Sequence, residues 1–92
     1  MDKQVKEIMC IAQEECAEVI QAISKVFRFG FDSEWNGETN KEHLEEELGD
    51  VLAMIDILID HGIVDYDTVQ QAKRAKLVKL SKWSNIELTM DK

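Results

Sequence analysis

Five acidic side chains occur in two groups whose spacing suits a cation site. Glu14, Glu15 and Glu18 form the first group, and Glu47 and Asp50 form the second. Residues three apart on a helix lie on one face, so the pairs Glu15–Glu18 and Glu47–Asp50 can each reach one ion. A ligand set made only of oxygen suits a hard divalent cation, which predicts Mg²⁺, with Mn²⁺ as a substitute.

Both carboxylate pairs lie at the edge of an apolar stripe. Ile11 and Ala22 flank the first pair, and Leu48 and Met54 flank the second. If the two helices pack antiparallel through their stripes, the pairs face each other. Each close pair of carboxylates then costs about 4 kcal/mol at 4 Å in an effective dielectric of about 20, so the cluster needs cations. The alternative that the residues leave open is two solvated acidic faces.

The histidines and cysteines do not suggest zinc. His43 and His61 are far apart, and Cys10 and Cys16 lack the spacing of metal ligands. The two cysteines are interpreted as small core residues of a protein in a reducing compartment. The N-terminus shows no signal peptide, which predicts a cytoplasmic location, or the host cytoplasm if the gene belongs to a phage.

Apolar periodicity predicts three helices. The first runs from about Lys3 to Phe29 and stops at Gly30. A loop is expected over Phe31 to Asn40.

A capping box formed by Thr39 and Glu42 begins the second helix, which ends at His61-Gly62. Asp65 or Asp67 caps the third. The expected buried side of the third helix comprises Val69, Ala72, Leu77, Leu80 and Trp83.

This pattern predicts a single all-α domain over residues 1–92, an antiparallel helical bundle with a frayed tail from about residue 84. From Val51 to Ile59 only Asp56 is polar, so the second helix is apolar nearly all round. Two other short helices can hardly cover it. We therefore expect a homodimer or homotetramer; a monomer with an apolar surface is the alternative.

Net charge and hydropathy argue against two classes of partner, nucleic acids and membranes. The net charge is −8, yet the segment from Gln71 to Trp83 has five cations and no acid. An acidic body repels nucleic acid backbones, so DNA and RNA are disfavoured as partners. No apolar run is long enough to span a membrane. The basic segment suggests either internal ion pairing or capture of a small anion.

The acidic motifs together resemble a known signature. Glu14-Glu15-Cys16-Ala17-Glu18, followed by Glu47-Leu48-Gly49-Asp50, resembles the E-E-x-x-E … E-x-x-D pattern of the MazG-like all-α nucleoside triphosphate pyrophosphohydrolases. The 28 residues between Glu18 and Glu47 are near the upper end of what that pattern tolerates. The resemblance extends from roughly Glu7 to Trp83.

The resemblance implies a reaction and a ligand set. Members of this family hydrolyse a nucleoside triphosphate between the α- and β-phosphates, which gives a monophosphate and pyrophosphate. Carried over to this chain, Glu15, Glu18, Glu47 and Asp50 would bind Mg²⁺. Glu14 would support the ligands, or orient or deprotonate water.

The resemblance also implies cations on a later helix that bind the phosphates. Lys73, Lys76 and Lys79 stand three apart along one side of the third helix. The family pattern has an asparagine and an arginine near these points, for which Arg74 and Lys79 would stand in. The alternative is a solvated face that balances the acidic helices.

The end of the first helix and the loop supply candidates for nucleoside recognition. Lys25 and Arg28 could reach phosphates. An aromatic side chain there could stack on a base, and the candidates are Phe27, Phe29, Phe31 and Trp35. For Phe27 and Phe31, the alternative to base stacking is a contact in the core or between subunits.

Two other classes of protein remain open. One is a metal- or nucleotide-binding module without catalysis, and the other is a helical interaction protein. Among related enzymes, one acting on phosphoribosyl-ATP is less favoured, because the loop and the basic helix lack the pattern expected of it.

Overall fold

The computed structural model describes residues 1–88, and its three helices confirm the all-α prediction. They are α1 (Lys3–Phe29), α2 (Asn40–Asp60) and α3 (Tyr66–Trp83). A small hairpin of β1 (Glu34–Trp35) and β2 (Glu38–Thr39) connects α1 to α2. The helix bounds follow the predicted ones closely.

The predicted caps fix where the helices begin. Thr39 and Glu42 form the capping box: the Glu42 amide donates to Thr39 Oγ1 at 3.1 Å, and the Thr39 amide donates to Glu42 Oε1 at 2.8 Å. Asp65, rather than Asp67, caps α3, because its carboxylate accepts from the Thr68 amide at 2.9 Å. Such caps satisfy amides that have no partner within the helix.

The connection predicted as a loop contains a hairpin instead. Trp35 pairs with Glu38 across a two-residue turn made by Asn36 and Gly37. Both turn residues have positive φ, 55° and 82°, which is the conformation that matches the twist of a two-stranded hairpin. The Asn-Gly dipeptide marked a turn in the sequence, but strands of two residues are too short to show a periodicity.

The first two helices form an antiparallel pair that contains most of the packing. Ile8, Ala22 and Met54 are its buried apolar residues. At the hairpin end, the buried Asn40 side chain donates from Nδ2 to the Gly30 carbonyl at 3.0 Å, which joins the start of α2 to the end of α1.

The third helix stands away from this pair. No residue of α3 is buried, and the radius of gyration is 15.9 Å against about 12 Å for a compact chain of this length. The prediction that one side of α3 is buried is therefore wrong within one chain. Ala72 is exposed and Trp83 is 85% exposed. The other three residues of that side, Val69, Leu77 and Leu80, are only half-buried. α3 begins at the far end of α2 and has no extensive packing against α1 or α2.

Much of the apolar surface of the α1–α2 pair is open. Ile20, Phe27 and Leu52 are 68%, 86% and 63% exposed. Cys10 and Cys16 are also exposed, so their prediction as core residues is wrong for one chain. Part of each predicted stripe thus faces outward, because a two-helix pair can bury only one side of each helix.

The end of the chain is only partly described. Residues 85–88 follow the Ser84 cap of α3 without regular structure, and the rest of the predicted tail, 89–92, lies outside the described residues. Within residues 1–88, no helix has the length and apolar character needed to cross a membrane.

We predict that Asn40→Ala lowers the free energy of unfolding by about 1 kcal/mol, because it removes the part-buried hydrogen bond from Asn40 Nδ2 to the Gly30 carbonyl. Urea titration at a fixed protein concentration measures this change. Lys41→Ala, at the exposed neighbouring position, should stay within about 0.5 kcal/mol. Equal effects of the two substitutions would show that the Asn40 bond does not hold the hairpin end together.

Candidate metal centre

Three carboxylates meet where α1 packs against α2. Glu15, Glu18 and Glu47 each offer an oxygen, and these atoms all lie within 4.8 Å of one another. Glu47 is buried, Glu15 is half-buried and Glu18 is exposed, so the group reaches from the helix interface to the surface. Antiparallel packing through the apolar stripes brings them together, as the sequence predicted.

Two oxygens of this group lack partners. Glu15 Oε1 and Glu47 Oε1 are shielded from solvent, and neither receives a hydrogen bond from any residue in the described range 1–88. Glu47 itself is only 7% exposed. Buried polar atoms are nearly always satisfied in native proteins, so two orphaned acceptors at one point favour a bound cation.

The carboxylates also perturb one another. The pKa of Glu15 is raised, first by burial and then by the charges of Asp50 and Glu18. The pKa of Glu47 is raised by burial and by the charge of Glu18, while His43 opposes this shift. Asp50 therefore lies close enough to repel Glu15, although its own side chain is exposed. We call Glu15, Glu18, Glu47 and Asp50 the acid cluster.

The remaining predicted acid, Glu14, lies beside the cluster. It is exposed and does not belong to the group of three oxygens. Four residues from Glu18 on α1, it shares the outer edge of the same side of the helix.

A histidine that the sequence analysis did not select borders the cluster. His43 Nε2 lies 3.8 Å from Glu47 Oε2, and Nδ1 lies 3.5 Å from Glu38 Oε2. The i, i+4 spacing of His43 and Glu47 on α2 was the available signal. The position of Glu38 depends on the hairpin and could not be inferred. Glu38, His43 and Glu46 also bring three potential metal-ligating atoms within 4.8 Å.

The hairpin builds a pocket near the cluster. Lys25 Nζ lies 5.9 Å from the centre of the Trp35 ring, a cation–π arrangement. A cavity of about 400 Å³ is lined by Lys25, Phe29, Ser33, Glu34, Trp35 and Asn40. A smaller cavity of about 130 Å³ extends past Trp35 to His43.

The structure distributes the other predicted binding residues unevenly. Trp35 lines the pocket, whereas the Arg28 guanidinium lies 5.0 Å from the Phe29 ring centre and lines neither cavity. Lys25, which was expected to reach phosphates together with Arg28, lines both cavities. Lys73, Lys76 and Lys79 are on α3 and are not brought to the acid cluster within the chain: none lies within 4.0 Å of a carboxylate in the described range.

The donor set fits a hard divalent cation. It consists of carboxylate oxygens held by two rigid helices, with two orphaned acceptors and raised pKa values that a positive charge would reverse. Glu15, Glu18, Glu47 and Asp50 would hold such an ion.

The comparison with protein families agrees with this geometry. The family model of the MazG nucleotide pyrophosphohydrolase domain matches residues 3–84 of the sequence. This range includes every residue of the acid cluster and all three helices. No curated protein and no solved structure matches the chain.

The raised pKa values predict how stability depends on pH. Without metal, the folded chain retains protons on Glu15 and Glu47 above their ordinary pKa of 4.5, while the unfolded chain has lost them. Their contribution to the free energy of unfolding is therefore greatest below 4.5 and is lost as pH rises through the raised values. Urea titrations in EDTA, from 4.5 to neutral pH, should show a shallower decline for Glu47→Gln than for wild type.

Two observations would distinguish the repulsion at Glu15 and Glu47 from other causes of pH-dependent stability. The pKa of Asp65 is lowered from 3.8 by its bonds to Thr68, so its contribution is lost only as pH falls below that value. Added Mg²⁺ should offset the decline in wild type at neutral pH. Parallel pH profiles for wild type and Glu47→Gln would contradict the assigned repulsion.

Proposed function

Because the chain belongs to the MazG nucleotide pyrophosphohydrolase family, we propose that it hydrolyses a nucleoside triphosphate between the α- and β-phosphates. The products are a nucleoside monophosphate and pyrophosphate, and the reaction depends on Mg²⁺. The observation that carries the proposal is the convergence of Glu15, Glu18 and Glu47, with two orphaned oxygens, inside the region that matches the family.

The acid cluster has the chemistry that this reaction requires. A divalent cation held by Glu15, Glu18, Glu47 and Asp50 would supply charge neutralisation of the triphosphate and would lower the pKa of a bound water. Glu15 and Glu47 fix their oxygens in the helix interface, while Glu18 and Asp50 are exposed at its outer edge. In this proposal Glu14, exposed at the same edge, orients or deprotonates the attacking water.

The pocket beside the cluster suits the nucleoside. Trp35 is 72% exposed and offers a ring for stacking on a base, and Lys25 lies against it. A cavity of about 400 Å³ is in the range of small-molecule sites. Lys25 and Arg28 lie on the last turns of α1, and we assign them contacts to the substrate phosphates or sugar.

The chain works as a homo-oligomer in this proposal. Two apolar grooves follow one side of the α1–α2 pair. The first is lined by Ile23, Val26, Phe27, Phe31 and Leu44, and the second includes Met9, Cys16 and Leu58. A soluble chain seldom leaves this much apolar surface open, and a second copy covers it in a homodimer or homotetramer.

We predict that Glu18→Gln and Asp50→Asn each lower the turnover by about 100-fold or more, because each removes a charged ligand of the cation. The assay incubates protein with Mg²⁺ and a panel of ribo- and deoxyribonucleoside triphosphates, and separates the products. Monophosphate plus pyrophosphate, lost with EDTA, is the expected result.

Glu45→Gln is the matched control for this experiment. Glu45 is exposed and lies two positions from Glu47, which places it on the opposite side of α2. It should keep wild-type turnover. Diphosphate plus orthophosphate would contradict the proposed bond cleavage, and metal-dependent nucleotide binding without product would indicate a binding module.

We predict that Trp35→Ala raises KM about 5- to 150-fold, which corresponds to the ~1–3 kcal/mol typical of stacking between a base and an aromatic ring. Trp35→Phe should restore most of the loss, because it keeps an aromatic face. Steady-state kinetics with the preferred nucleotide measure both. An unchanged KM in Trp35→Ala would remove the pocket from the substrate site.

A further inference from the structure

We infer that the cations facing the acid cluster come from α3 of a second copy of the chain. The phosphate-binding role of these cations rests on the proposed function, whereas the arrangement itself rests on the structure. Lys73, Lys76 and Lys79 are the side chains concerned.

Within the described residues 1–88, α3 packs only weakly against the rest of its own chain. It has no buried residue, although most of the stability of helices in proteins comes from packing of an apolar face. Among residues 1–88, no lysine or arginine forms an ion pair with a carboxylate. Among the described residues, the basic segment of α3 and the acid cluster therefore have no ion-pair partner of opposite charge from a lysine, arginine or carboxylate.

The corner between α2 and α3 directs α3 outward. Gly62, at φ 69°, donates its amide to the Ile59 carbonyl, and the Ile63 and Val64 amides both donate to the Leu58 carbonyl. Asp65 then caps α3. A hydrogen-bonded corner of this kind fixes the direction of the next helix. If α3 folded back along α2, Lys76 would come level with Asp50, but the structure does not make that turn.

The three lysines share one side of α3 with apolar residues. At 100° per residue, Lys73, Lys76 and Lys79 span an arc of about 120°, and Val69 and Leu80 lie within it. Val69 and Leu80 are half-buried in the single chain, and Trp83, on the same side, is almost fully exposed. This side of α3 can bury apolar groups and pair its charges with the same partner.

The surface around the acid cluster has the complementary composition. Ile11 on α1 and Ile57 on α2 are 36% and 37% exposed beside the carboxylates. Negative charge bordered by apolar groups on α1 and α2 thus matches positive charge bordered by apolar groups on α3. Complementary charges select such a partner and fix its register.

The open apolar side of the α1–α2 pair does not compete with this contact. Glu18 and Ile20 are two positions apart and so point to nearly opposite sides of α1, and Asp50 and Leu52 do the same on α2. The apolar side of one chain can therefore be covered by a neighbouring chain while its acid cluster is covered by α3 of the same or another neighbour. A closed dimer provides the first arrangement and a dimer of dimers the second.

Complementation between inactive variants tests the inference. Glu18→Gln has a defective acid cluster and an intact α3. The triple variant Lys73→Ala, Lys76→Ala, Lys79→Ala has the reverse. The two chains are coexpressed with different affinity tags and purified through both tags in succession, after which pyrophosphate release is measured.

If α3 acts on a second copy, mixed assemblies regain activity. In a dimer that carries both tags, one of the two sites combines an intact cluster with an intact α3 from the other chain, so about half of the sites are complete. If each α3 serves its own chain, every site carries one defect, and activity stays at the level of the parent variants, which would overturn the inference. Coexpression of Glu18→Gln with Glu47→Gln is the control, because no pairing there restores a cluster.

A second measurement does not depend on activity. Wild-type chains labelled with ¹⁴N and ¹⁵N are mixed, and subunit exchange is verified by native mass spectrometry. Metal is removed with EDTA, the EDTA is dialysed away, and lysines are then coupled to carboxylates with a carbodiimide. Peptides that join α3 to the acid cluster should carry one label of each kind in about half of cases. Couplings of like label alone, or none between these segments, would overturn the inference even if the wild type hydrolyses nucleotides. Mixed-label couplings without hydrolysis would support the arrangement and contradict only the proposed function.

Discussion

The central constraint in this structure is the electrostatic repulsion between carboxylates that α1 and α2 hold together in their interface. Packing α1 against α2 places Glu15 and Glu47 in the helix interface, each with a shielded oxygen that receives no hydrogen bond within the described residues. Burial and neighbouring charges raise the pKa of both. A cation bound there would remove this cost, so we expect the metal-free fold to be destabilised where the chemistry is proposed.

The end of α1 and the hairpin form the pocket beside the acid cluster. The long helix α1 extends past the cluster to carry Lys25, and the hairpin brings Trp35 against it. Asn40 fastens the hairpin end by its bond to Gly30, which keeps the pocket next to the acid cluster. In the proposed function, the helices would hold the carboxylates rigidly, and the hairpin would contact the nucleoside.

Sequence reasoning predicted the local features well and the contacts between segments only in part. Helix bounds, the Thr39–Glu42 capping box and the meeting of Glu15, Glu18 and Glu47 follow from i, i+3 and i, i+4 patterns, which are short-range. The hairpin was not predicted, because two-residue strands carry no periodicity. The burial of Trp83 and Cys16 was wrong for one chain, since an apolar stripe predicts that a surface is covered but not whether its own chain covers it. The site residues themselves stay a prediction that requires measurement.

Binding of Mn²⁺ in the absence of nucleotide, followed by electron paramagnetic resonance, tests the central claim most directly. The signal of free Mn²⁺ should fall as wild-type protein is added, and it should fall equally with Glu45→Gln, whose carboxylate lies on the other side of α2. Glu47→Gln should leave most of the ion free. Equal binding by wild type and Glu47→Gln would contradict the claim that the buried carboxylates between α1 and α2 form the metal centre.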